Sequence, residues 1–140
     1  MRSPRRPMSK PESPLPSPST PAHPRPRPGT HLLLDLHDCP AERLERPGES
    51  ERILLAAAEA MGATVISHDF HAFAPHGVSG VVVIAESHLT VHTWPEHGYA
   101  AVDVFTCGVV DLEAGVRVLV EGYGAGRIER RAFRRGFGVK

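Results

Sequence analysis

Between Gly80 and Thr106 three β-branched stretches, Val81–Ala85, Leu89–Trp94 and Tyr99–Thr106, are separated only by short breaks, at Glu86-Ser87 and at Pro95-Glu96-His97-Gly98. Connections this short carry no crossover, so the stretches pair as consecutive antiparallel hairpins. If Tyr99 faces Trp94 across the four-residue loop, counting back sets Ser87 opposite Thr106 and within one residue of Cys107. If Glu86-Ser87 lies at the turn of the preceding hairpin, Ser79 falls opposite His92 or one residue away. That second pair lies about 16 Å from Ser87 along an extended strand, so His92 does not reach its own Ser87.

Other elements surround this core. His31–His37 reads as a short buried strand ended by Asp38-Cys39-Pro40. Glu49–Met61, alanine-rich with acids in its first turn and Gly62 behind it, reads as a helix. Ala63–Phe73 is expected as a strand. A second helix from about Leu112 to Tyr123 sets Val116, Leu119, Val120 and Tyr123 on one face behind an Asp111 cap, although Gly115 and the valines disfavour it. Arg127–Arg135 is expected as an edge strand kept soluble by its arginines. The fold class is α+β: a two-layer α/β sandwich with a mostly antiparallel sheet and both helices on one face. In Leu89–Trp94 the apolar Leu89 and Val91 alternate with His88, Thr90, His92 and Trp94, so the uncovered face is polar and aromatic.

Composition separates the first thirty residues from the rest. They hold ten of the fourteen prolines and six basic residues against Glu12 alone. Residues 1–30 are expected as a disordered Pro/Arg-rich tail with polyproline II character, and residues 31–140 as the domain. The tail carries +5, and since the chain sums to zero, residues 31–140 carry −5 by difference, counting Lys, Arg, Asp and Glu. An acidic domain is a poor match to nucleic acid. With no apolar signal core and no run of 18 apolar residues, neither secretion nor membrane spanning is expected, and the cytoplasm is the default location. Cys39 and Cys107 have no zinc or redox spacing.

The run Gly77-Val-Ser-Gly-Val-Val-Val-Ile-Ala-Glu-Ser-His-Leu-Thr-Val-His-Thr-Trp-Pro-Glu96, continued by Tyr99-Ala-Ala-Val-Asp-Val-Phe-Thr-Cys-Gly108, resembles the central signature of the prokaryotic S-adenosylmethionine decarboxylase proenzymes. The resemblance is dense from Thr64 to Gly108, weaker from His31 to Met61 and slight beyond. It implies self-cleavage between Glu86 and Ser87 into chains 1–86 and 87–140. It also implies a pyruvoyl group made from Ser87, with no external cofactor. That cofactor would hold the substrate amine as a Schiff base and accept the electrons released with CO₂. By the same resemblance His92 is the proton acceptor and Ser79 an assistant in processing, Cys107 is the proton donor in catalysis, and Phe73, Trp94 and Glu96 bind substrate.

The implied reaction converts S-adenosylmethionine to its decarboxylated form, the aminopropyl donor for spermidine synthesis. Arginine or ornithine as substrate is an alternative, since an amine α to a carboxylate suffices. A non-catalytic metal- or ligand-binding protein is another, against which Ser87, His92 and Cys107 together argue. Nine histidines invite a metal, but on one strand His88 and His92 lie about 13 Å apart, and His68 and His71 point to opposite faces. No metal is therefore expected. Because His92 and Ser79 do not reach Ser87 in one chain, a homodimer paired sheet to sheet, with each site shared, is the expected assembly. Asp103 is expected to hydrogen-bond structurally and Cys39 to be inert.

Overall fold

The computed structural model describes residues 29–136 and 138. The expected disorder of the tail falls almost wholly outside these residues, although Thr30 already belongs to the first strand. In chain order the elements are β1 (Thr30–His37), α1 (Ala41–Leu44), α2 (Pro47–Ala60), β2 (Thr64–Ala72), β3 (Val78–Ala85), β4 (Ser87–Trp94), β5 (Tyr99–Thr106), α3 (Leu112–Tyr123) and β6 (Arg127–Arg134). The six strands form one sheet in the order β2-β3-β4-β5-β1-β6, with every neighbouring pair antiparallel. β1 thus enters between β5 and β6, a placement that no short connection dictates.

Alternation divides the sheet into two faces. Leu32, Leu34 and Leu36 of β1, Leu89 and Val91 of β4, and Val102 and Val104 of β5 bury against Ile53, Leu54 and Ala57 of α2 and Leu119 and Tyr123 of α3. Both long helices therefore cover one face, as the α+β reading expects. The short α1 was not anticipated, because Pro40 and Pro47 bracket it and read as loop; Pro47 instead occupies the first turn of α2, where its missing N–H costs nothing. The Asp111 side chain accepts from the Ala114 N–H at 3.1 Å and caps α3. Of the four residues expected on the buried face of α3, Val120 is only half-buried.

Gly115, which argues against α3 on propensity, earns its place by packing. A Cβ there would stand 2.4 Å from Met61 Cγ, and one at Gly122 would stand 2.8 Å from Ile53 Cγ2, so both glycines let α3 lie close on α2. At the far edge β6 is exposed throughout, and its Arg130 pairs with Glu113 of α3. Ionic ties and arginines on this edge oppose pairing with further strands.

Candidate active site

Ser87 opens β4 directly opposite Ile84, so the β3–β4 turn consists of Ala85 and Glu86, one residue earlier than the sequence implies. Its φ of 119° lies in a region that side chains other than glycine rarely occupy, and such strained positions gather at functional sites. Across the β4–β5 pair Ser87 faces Thr106, which brings the next residue, Cys107, alongside. Ser87 Oγ and Cys107 Sγ stand 3.5 Å apart. The same sulfur lies 3.4 Å from Glu86 Oε2 and 3.8 Å from the Glu86 carbonyl oxygen.

A second pair sits towards the other end of the hairpin. Ser79 is directly opposite His92, and Ser79 Oγ is 2.7 Å from His92 Nδ1. Both line a 280 Å³ groove with Phe73, Trp94 and Glu96. The groove is held from below by buried Thr93, which accepts from the Val78 N–H and donates to the Leu44 carbonyl, each at 2.9 Å. Gly77, at φ 101°, closes its rim by accepting the Phe73 N–H at 2.8 Å. Phe73 and Trp94 expose 51% and 40% of their surface, leaving apolar rings available to a ligand.

The structure thus sorts the expected site residues into two sets. Phe73, Ser79, His92, Trp94 and Glu96 share one groove, while Glu86, Ser87 and Cys107 gather at the turn. On β4, Ser87 and His92 are five positions apart, about 16 Å of extended strand, so one chain does not join the two sets.

Sequence reasoning missed the support beneath Trp94. Its ring stacks on Tyr99 at 5.1 Å between centroids, and Tyr99 stacks in turn on His37 at 5.2 Å. Tyr99 OH donates to Asp35 Oδ1 at 2.5 Å. Burial, then the Asp35 hydrogen bond, push the Tyr99 hydroxyl up to about 12, so it keeps its proton and goes on donating to Asp35. Tyr99 facing Trp94 was legible, but His37 and Asp35 arrive only through the β1–β5 pairing. A second groove of 320 Å³ beside His92 adds Asp69 and His71 from β2, and of these the sequence singles out only His71, among the histidines that invite a metal.

Asp103 accepts from Thr90 Oγ1 at 3.3 Å across β4 and β5, the structural role expected of it. Cys39 is buried, and burial pushes its thiol up to about 11, away from reactivity. Among the described residues no three His, Cys, Asp or Glu side chains are grouped to hold a metal ion, and no helix is long and apolar enough to cross a membrane.

The family model described as S-adenosylmethionine decarboxylase matches residues 30–136. The S-adenosylmethionine decarboxylase proenzyme of Thermodesulfovibrio yellowstonii is 53% identical over 96 residues, covering 68% of this chain and 71% of that protein. The proenzyme of the same name from Pseudomonas aeruginosa is 51% identical over 111 residues, covering 79% and 69%. Among solved structures, the adenosylmethionine decarboxylase of Aquifex aeolicus superposes with a TM-score of 0.73 at 36% identity, covering 79% of this chain and 92% of that one. Signature, sheet and relatives agree, and the chain belongs to the S-adenosylmethionine decarboxylase family.

Proposed function

We propose that the chain is a proenzyme that cuts itself between Glu86 and Ser87 and then decarboxylates S-adenosylmethionine. The observation that carries this reading is the partition of one sheet into a Ser87–Cys107 pair, 3.5 Å apart, and a Ser79–His92 pair, 2.7 Å apart, which lines the aromatic groove. In the first step Ser87 Oγ attacks the Glu86 carbonyl carbon, and the amide becomes an ester. His92 then removes the Ser87 α-proton, the Cβ–Oγ bond breaks, and Glu86 leaves as a carboxylate. The dehydroalanine left at residue 87 takes up water and releases ammonia, leaving a pyruvoyl group.

The turn suits that group: it is tight, its residue 87 is already held away from ordinary strand geometry, and a proton donor stands beside it. A pyruvoyl group supplies an electrophilic ketone that holds the substrate amine and takes up the electron pair released with CO₂. Cys107 holds the proton returned to carbon. Phe73 and Trp94 present rings to an adenine or sulfonium, and Glu96 presents a carboxylate to the groove.

The distance between the two sets supports a homodimer as the functional unit. Two protomers facing each other with their uncovered sheets, about a two-fold axis, bring His92 and the groove of one to Ser87 of the other. The relatives' names favour S-adenosylmethionine over arginine or ornithine. Purified protein incubated with each carboxyl-labelled compound is expected to release labelled CO₂ from S-adenosylmethionine alone. Release only from arginine or ornithine would contradict this substrate.

A further inference from the structure

We propose that the Glu86 carboxylate is a positioning residue for self-cleavage, acting through Cys107 on the Ser87 hydroxyl. The inference rests on the self-cleavage reading above and concerns a side chain that makes and breaks no bond in the cut. Cys107 Sγ meets three oxygens of one dipeptide: the Glu86 carboxylate at 3.4 Å, Ser87 Oγ at 3.5 Å and the Glu86 carbonyl at 3.8 Å. A thiol has one proton to give and weak lone pairs to offer. An ionised carboxylate accepts only, and is the strongest acceptor of the three. The thiol proton is therefore committed to Glu86, and the sulfur lone pairs are turned to Ser87, which donates to them.

This order of donors matters for the attack. A Ser87 hydroxyl that donates to sulfur keeps its own lone pairs free for the Glu86 carbonyl carbon. Without the carboxylate the thiol is released to donate to Ser87 Oγ, which engages the lone pair the attack requires. Cleavage also dismantles the arrangement: Glu86 becomes the end of a separate chain, and Cys107 is freed for its part in decarboxylation.

The test is the rate of self-cleavage of freshly translated full-length chain, followed for days by intact mass, for wild type, Glu86→Ala and Glu86→Gln, each with and without Cys107→Ala. Glu86→Ala is expected to slow cleavage about tenfold, the loss of one charge-assisted hydrogen bond at the transition state. Glu86→Gln should fall between, because its amide oxygen still accepts. In the Cys107→Ala background, itself slow but cutting, Glu86→Ala should add nothing. Wild-type rate in Glu86→Ala would overturn the proposal. So would the same slowing with and without Cys107, or a Cys107→Ala chain that never cuts, which would give the thiol a chemical rather than an orienting part. An uncut wild-type chain would instead remove the self-cleavage reading itself.

Discussion

Ser87 and Cys107, twenty residues apart in the chain, face each other with Oγ and Sγ 3.5 Å apart because β4 and β5 pair with Ser87 opposite Thr106. In the proposed reaction this half-buried thiol, beside Ser87, is the group that returns a proton to substrate carbon. Cys107→Ala, once cut, is expected to lose about a hundredfold or more in kcat, the usual contribution of a positioned general acid, with KM changed little. Steady-state kinetics of the cut variant checks this.

The 2.7 Å contact between Ser79 and His92 lies too far along β4 to serve Ser87 of its own chain. Ser87→Ala and His92→Ala chains are each expected to remain whole when made alone. Made together with distinguishable tags, the His92→Ala chain should be cut, because a Ser87→Ala partner lends it an intact His92. Cleavage of neither chain in the mixture would refute the shared site.

Trp94 offers an exposed face over the groove while its other face rests on Tyr99. Loss of one base-stacking aromatic costs about 1–3 kcal/mol, so Trp94→Ala should raise KM by about tenfold or more. Trp94→Phe, which keeps a ring, should recover most of it. The ratio of the two KM values separates stacking from bulk.

Buried groups set the alkaline limit of stability. Burial pushes Cys39 up to about 11 and Tyr99 up to about 12, and it raises Tyr123, which donates to Ser50 Oγ at 2.8 Å in the core. In each case the unfolded chain ionises first, so stability is whole below pH 9.0, the ordinary value for a thiol, and is lost as pH rises from there to about 12. Thermal midpoints measured across that range should fall steadily. Tyr123→Phe leaves fully buried Ser50 without its partner, costing about 1–3 kcal/mol, and should lower the midpoint at neutral pH by about 5 °C or more.

What could be read beforehand followed loop length. The four-residue connection fixes Trp94 opposite Tyr99 and therefore Ser87 opposite Thr106, and both pairings are observed. The two-residue turn falls on Ala85 and Glu86, one residue earlier than expected, and it is this register that sets Ser79 opposite His92. Contacts that depend on distant pairing were not legible. The Trp94–Tyr99–His37 stack and the Asp35 hydrogen bond exist because β1 enters beside β5, across a span of chain holding two helices and three strands. The Glu86–Cys107 contact was hidden for another reason: register specifies which backbones meet, whereas the reach of a carboxylate around a tight turn depends on side-chain geometry.

The most direct measurement is the intact mass of the purified protein, with and without borohydride. Two chains ending at Glu86 and beginning at residue 87 are expected, the smaller carrying a carbonyl that gains two hydrogens on reduction. A fully active protein of undivided mass, with serine still present at position 87, would contradict the account.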